Sequence, residues 1–591
     1  MGLRPRITFR IRGKPTSLAQ TLPVEVLCLI LDISANIDPP CGVWRPRLSL
    51  GCIQIAHVCA RWRNIALEFS NFWGKILGDL PAATGVLFER TRSAPLTIRP
   101  GAHGLLASAN ARFKQHLTTQ ALALLHPDRI GVLDLSKDYG ISDNNPHFWL
   151  PLMLQPGFGR SLTILNINQP VDSPIDFTGV SIRFNIPHLR QVTYAHTHFI
   201  FVSPALRSLT LDMTINGLSA RRSPPVLRFH DFLETVRHTS CLQELRFAFR
   251  ETGSMAIKAD DVFKDTLAPI SVDDIIPLPT LRYIGLDGSL RLCTRVLHAV
   301  DAPPDTTIHY YMRDVRLDQN TDFTSHMANL LQCMLPQLQY TGHQSVALGI
   351  SSRKLDLGLS CRVNVDRVWP AERHIPHICL SVRFRGEEYG SAPEAALGHS
   401  QYAEVMGSFL DLVRTPNIRT LDTTLCHVAQ PQVLGLLCQH TFPSLEELAI
   451  DINSPAYMCA LLDQPSAAPE LHRLCVVNTR RERSGERWEK IWSNLTKALE
   501  DTGHRITLLR FCAARFVRPE FNVELIWATR WFWRANRRGI TRTRKLVERV
   551  TVETGPLDET LWIDWSDEMT WSSHSGGAIS IEGRDPYDLG D

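Results

Sequence analysis

The reactive side chains of this sequence do not gather into a catalytic set. His196 and His198, in the run AHTHF, alternate as neighbours on a strand would, which is the spacing of a metal pair. They lack a third ligand at metal-binding spacing, so they read as strand-surface side chains. The paired acids Asp260–Asp261 and Asp273–Asp274 lie in polar, turn-like stretches and read as solvated surface. There is no GxxxxGK phosphate loop, no GxGxxG, no HExxH and no GxSxG elbow. Fourteen cysteines run from Cys28 to Cys512 without a CxxC pair or zinc-finger spacing. Most sit in apolar runs such as CVV at 475–477 and CLSV at 379–382, where a free thiol acts as a small hydrophobe. That usage points to a reducing compartment without a disulfide framework. The expectation is a chain with no catalytic residues, no metal and no cofactor.

A different chemistry is concentrated near the C-terminus. Residues 505–549 carry 12 Lys or Arg against 3 acids, with Trp527, Trp531, Phe532 and Trp533 interleaved. Such a strip suits single-stranded nucleic acid, nuclear import or an acidic protein. It equally suits a final capping helix with outward arginines, and capping is the preferred reading. Residues 553–591 hold ten acids and one Arg among Ser and Gly, which reads as an acidic disordered tail.

Composition sets the frame around these segments. The chain has 591 residues, 44% of them apolar and 21% charged, with a net charge of +3. These are ordinary values for soluble protein and exclude wholesale disorder. The near-neutral total conceals opposed ends, because residues 1–17 form a basic leader with five Lys or Arg and no acid. No apolar run approaches the about 18 residues a membrane span needs. A cytoplasmic or nuclear address, away from the membrane, is expected.

Residues 18–80 are the most informative. Pro23 suits the first turn of a helix and Glu25 complements its positive end. Val26, Leu27, Ile30 and Leu31 follow as an apolar stripe at helical spacing. The prolines and glycine of 38–46 end that helix. A second helical stretch carries Leu50, Ile53 and Val58. A third carries Trp62, Ile65, Ala66 and Phe69 at i, i+3, i+4 and i+7, and Trp73 and Ile76 close the module. Three short helices bury little, so apolar surface is left for a partner or for the next domain.

These residues carry a resemblance. Leu22-Pro23, an apolar first helix, then Val58-Cys59-x-x-Trp62-Arg63 and the later Trp73 resemble the F-box, in the form with a long insertion (roughly 36–49) abundant in mushroom-forming fungi. The resemblance implies docking onto the Skp-type adaptor of a cullin–RING ubiquitin ligase. It implies adaptor contacts from Leu22, Pro23, Val26, Leu27, Ile30, Val58, Cys59, Trp62 and Ile65, some of which instead build the module's own core. The insertion departs from the compact family pattern and blurs the start of the second helix.

From residue 81 to 552 one pattern recurs: apolar-x-x-apolar-x-apolar. It appears as IGVLDL (130–135), LTILNI (162–167), LRQVTY (189–194), LRSLTL (206–211), LQELRF (242–247) and LRYIGL (281–286). It returns as IRTLDT (418–423), LEELAI (445–450), LHRLCV (471–476) and ITLLRF (506–511). The alternating last four residues predict a strand with one face buried. Helical stretches are predicted between them, at 113–125, 229–237, 323–334, 402–414, 433–438 and 488–500. The expected class is α/β, a solenoid of parallel strands and helices.

The pattern is similar to the leucine-rich repeat, with departures. Its starts lie 17 to 39 residues apart, with one gap of 137, and the family's Asn slot is filled only by Asn453, with Cys426 as a tolerated substitute. Its outward positions (Arg207, Thr210, Gln243, Arg246, Arg282, Gly285, Glu446, Ala449, His472 and Cys475) are chemically mixed and name no ligand. The two resemblances together imply a non-enzymatic substrate receptor of a Skp–cullin–F-box ligase, holding a protein substrate on the repeat array. A nucleic-acid-binding or scaffold protein using residues 505–549 stays open as the alternative.

Overall fold

The structure is a computed structural model. In the N-terminal part it describes residues 18–40, 50–77, 79–80, 83–99, 121–135, 149–168, 182–195, 199–212, 215–216, 229–248 and 251–252. Further on it describes 275–315, 323–350, 354–360, 378–384, 392–426, 435–437, 439–451, 466–478, 493, 496–497, 499–500, 506–513, 546–547, 549–554 and 579–580. The basic leader, His196, His198, both Asp pairs, positions 514–545 of the basic strip and nearly all of the acidic tail lie outside the described residues. The chain divides into two compact units, one of residues 1–242 and 251–265, the other of residues 243–250 and 266–591.

The first unit opens with helices α1 (Leu18–Thr21), α2 (Val24–Ile37), α3 (Ala60–Glu68), α4 (Ser70–Lys75) and α5 (Thr84–Thr91). Pro23 immediately precedes α2, with its carbonyl accepting the Leu27 N–H at 3.1 Å. Asp38, with its N–H on Ser34 O at 2.9 Å, ends the helix just before Pro39 and Pro40, which cannot extend it. The second expected helix is a 3-10 helix, Gly51–His57. It starts at Gly51 with φ of +50°, and the extended backbone of Cys59, at φ −160°, separates it from α3. Leu27, Leu31 and Ala35 of α2 join Cys52, Ala56, Ala66, Phe72, Trp73, Ile76 and Leu77 in the buried core of this segment.

Five parallel strands follow: β1 (Leu96–Ile98), β2 (Ile130–Leu135), β3 (Ile164–Asn168), β4 (Gln191–Ala195) and β5 (Ser208–Asp212). Each pairs with the next in chain order. Among the helices between and after them are α6 (Trp149–Met153) and α7 (Phe229–Arg237).

The second unit continues with β6 (Glu244–Ala248), β7 (Tyr283–Asp287), β8 (Thr307–Val315), β9 (Ser345–Ile350), β10 (Lys354–Ser360) and β11 (Ile378–Phe384). Then come β12 (Thr420–Cys426), β13 (Glu447–Asp451), β14 (Arg473–Asn478), β15 (Leu508–Ala513), β16 (Arg549–Thr554) and β17 (Ile579–Ser580). Here the order across the ladder is β6, β7, β8, β11, β10, β9, β12, then β13 to β17 in sequence. Only β10, with β17 at the end, runs antiparallel to its neighbours. Helices α8 (Leu290–His298), α9 (Phe323–Cys333), α10 (Leu335–Leu338) and α11 (Ala392–Leu412) lie between strands in the chain. The protein is therefore α/β with mostly parallel strands, and no barrel closes among the described residues.

One local rule builds both ladders. The first apolar residue of each hexapeptide is buried, and in most its N–H closes a turn, as when Leu189 N–H meets Ile186 O and Leu242 N–H meets Thr239 O. The next residue's carbonyl accepts two N–H groups from the following rung. Arg190 O takes those of Arg207 and Ser208, Arg419 O takes those of Glu446 and Glu447, and Glu446 O takes those of His472 and Arg473. The fourth position is buried throughout, in Leu165, Val192, Leu209, Leu245, Ile284, Leu421, Leu448, Leu474 and Leu509. Alternation thus places one strand face in the core and leaves the other to solvent or partner.

Candidate docking surface

Helix α2 presents apolar residues on two opposite faces. Leu27, Leu31 and Ala35, spaced by four, point into the module. On the opposite side Val26, Leu29, Ile33 and Ile37 form a second stripe, with Leu29 57%, Ile33 46% and Ile37 77% exposed. The charged residues Glu25 and Asp32, with Asn36, share one narrow band between the two, and Ser34 lies half-buried on the other side. A helix that is apolar almost all round belongs inside an assembly. Burying one Leu or Ile gains about 1.5–3 kcal/mol, so this stripe leaves several kcal/mol unrealised.

The core behind the stripe is fixed by directional contacts. Trp73 is fully buried and its Nε1 donates to Ala66 O at 2.7 Å. Phe72 meets Trp73 edge-on at 4.9 Å, and the Arg90 guanidinium lies 4.6 Å over the indole. Lys75 and Asp32 form an ion pair at 2.6 Å that ties α4 to α2. Arg61 on α3 donates to Gln20 O at 2.6 Å and Leu22 O at 2.5 Å, holding the entry into α2.

The nine residues expected at the adaptor contact fall into three groups. Pro23, Val26 and Val58 are exposed; Leu22, Ile30, Cys59, Trp62 and Ile65 are half-buried; Leu27 lies in the core at 1% exposure. Leu29, Ile33 and Ile37, with Leu50 and Leu67, are exposed apolar residues that the family pattern does not single out. For Leu29, Ile33 and Ile37 the signal was the second helical stripe itself, recognisable once the buried face of α2 is assigned.

Two thiols near this surface, Cys28 and Cys52, are poor nucleophiles. Burial, and then Glu25, raises the Cys28 thiol. Burial, followed by Asp79 and Asp38, pushes Cys52 up to about 12, against a smaller lowering by its backbone hydrogen bond. Among the described residues no group of three or more His, Cys, Asp or Glu is placed to hold a metal ion. No helix among them is long and apolar enough to cross a membrane.

On the open strand faces Arg207, Arg246 and Arg282 are exposed, and Thr210, Gln243, Gly285, Glu446 and His472 are intermediate. Ala449 and Cys475, expected outward, are 4% and 1% exposed. They stand in register with each other and with Asp422 on successive strands, where a short side chain beside a longer neighbour has little surface left to show. In the second unit Arg246 lies 5.0 Å over the Tyr283 ring, which meets His309 edge-on at 5.2 Å.

What these features define is a class only: helices and mostly parallel strands, with an apolar helix face left uncovered. Compared with models of known protein families and with curated proteins, the chain matches none of them.

Proposed function

We propose that this chain is the substrate-recognition subunit of a Skp–cullin–F-box ubiquitin ligase. Residues 18–80 serve as its F-box-like module, and the strands that follow serve as an irregular, leucine-rich-repeat-like array that holds a protein substrate. The observation carrying this reading is the doubly apolar α2: Leu27, Leu31 and Ala35 fill the module while Leu29, Ile33 and Ile37 face outward. An adaptor groove covering that stripe would recover the apolar burial it lacks. The Leu22-Pro23 and Val58-Cys59-x-x-Trp62 segments flank it in the family's order. Leu27 then acts from behind, as core support for its exposed neighbours. Holding a substrate beside the ligase raises its effective concentration, so the receptor needs no catalytic group.

Co-expression with a Skp-type adaptor followed by affinity purification tests the reading. The adaptor is expected to co-purify with the wild type and to be lost with Leu29→Asp plus Ile33→Asp. Undiminished co-purification with that double variant would sink the assignment.

A further inference from the structure

We propose that the rim of the first unit carrying Arg190 and Arg207 docks an acidic segment of a partner polypeptide. The Arg190 carbonyl accepts the N–H groups of Arg207 at 2.8 Å and Ser208 at 3.0 Å, so the two arginines hold equivalent positions on adjacent rungs. In the second unit the same positions on adjacent rungs are Arg419 and Glu446, and there the side chains close into an ion pair at 3.5 Å. Side chains at this position therefore reach one another across rungs. In the first unit both are arginines, both are exposed, and among the described residues neither has a carboxylate partner. Arg160, also exposed, stands in the turn leading into β3, whose Thr163 carbonyl takes the Arg190 N–H at 2.8 Å.

Adjacent like charges repel, and a carboxylate between two guanidiniums turns that repulsion into paired, charge-assisted hydrogen bonds. The next row inward is neutral and hydrogen-bonding, with Gln191 in register with Ser208 and Thr193 with Thr210. Asp134 and Asp212 lie towards the opposite ends of their strands, so the acidic stretch is confined to the arginine end. This names the substrate class for the proposed receptor and rests on that reading for its meaning, while the binding itself is measured without adaptor.

The test is fluorescence anisotropy of the full chain with a labelled Glu-rich peptide and a Gln-rich peptide of equal length. The wild type is expected to prefer the Glu-rich peptide. Arg190→Glu with Arg207→Glu is expected to weaken that binding about tenfold and to favour a Lys-rich peptide instead. Arg190→Gln with Arg207→Gln, closer in shape, is expected to weaken it with an unchanged melting temperature. Equal binding of both peptides by the wild type would overturn the proposal, as would unchanged binding by the Gln variant. Full displacement by millimolar inorganic phosphate would reduce the rim to a simple anion site, and tighter binding of a single-stranded oligonucleotide would assign it to nucleic acid; either result also overturns it. Loss of adaptor co-purification with peptide binding intact would fault only the ligase reading.

Discussion

The indole Nε1 of Trp73 donates to the main-chain oxygen of Ala66 across 2.7 Å, and both residues are buried. This bond joins α4 to the last turns of α3, so Trp73 fills volume and also satisfies a carbonyl. Trp73→Phe keeps most of the volume but orphans that oxygen, for an expected loss of about 1–3 kcal/mol. Trp73→Ala adds a cavity, for about 3–5 kcal/mol. Hydrogen exchange of the α3 amides, compared across the three proteins, would resolve the two steps.

The two faces of α2 predict opposite responses to the same change. Ile33→Asp, at an exposed position, is expected to shift stability by less than about 1 kcal/mol. Leu31→Asp, two residues away and 1% exposed, buries an unpaired charge and is expected to unfold the module. Limited proteolysis within residues 18–80 distinguishes the outcomes, and equal sensitivity of the two variants would contradict the assigned faces.

Gly51 has φ of +50°, and a β-carbon there would run into the Asp38 carbonyl, which accepts the neighbouring Cys52 N–H at 2.7 Å. Gly51→Ala must strain this turn or break that bond. The expected cost is more than about 1 kcal/mol, seen as a lower melting temperature and faster cleavage between residues 38 and 51.

Cys52 predicts a pH dependence. Its thiol is held up to about 12 from an ordinary 9.0, so above pH 9 the unfolded chain releases a proton that the folded chain keeps. Stability from this group is whole below pH 9 and falls as pH rises towards 12, by at most about 1.4 kcal/mol per pH unit. Melting curves from pH 8 upward are expected to converge for wild type and Cys52→Ala as that contribution fades. A constant difference across the range would contradict it.

Much of the ladder was legible because its chemistry is repetitive. All ten hexapeptides lie on strands, each after the first beginning two residues in, where the turn that buries the leading apolar residue gives way to the ladder. Of the four strands β8 to β11 in the long gap, two escaped for one physical reason. Before β8 the leading slot falls on Asp305 and the buried turn position beside it is Thr306, whose hydroxyl donates to Leu281 O at 3.0 Å; before β9 the leading slot holds His343, whose Nε2 lies 2.7 Å from Gln337 O. Thr306 and His343 are buried polar residues with hydrogen-bond partners, and an apolar template passes over them. On α2, the family pattern singled out Leu27, while the exposed stripe became distinct only once packing separated two apolar faces.

The reversed β10 has a consequence for synthesis on the ribosome. Up to β8 every strand of the second unit can be laid on its predecessor as it emerges. The partner waiting for the free edge of β8 is β11, which is made only after β9 and β10, and those two find their places by folding back from it. Vectorial growth therefore pauses there with an open edge, and the hairpin arrives as a block rather than strand by strand. A truncation ending after β8 would expose that edge, whereas one ending after β12 would leave the hairpin closed on both sides.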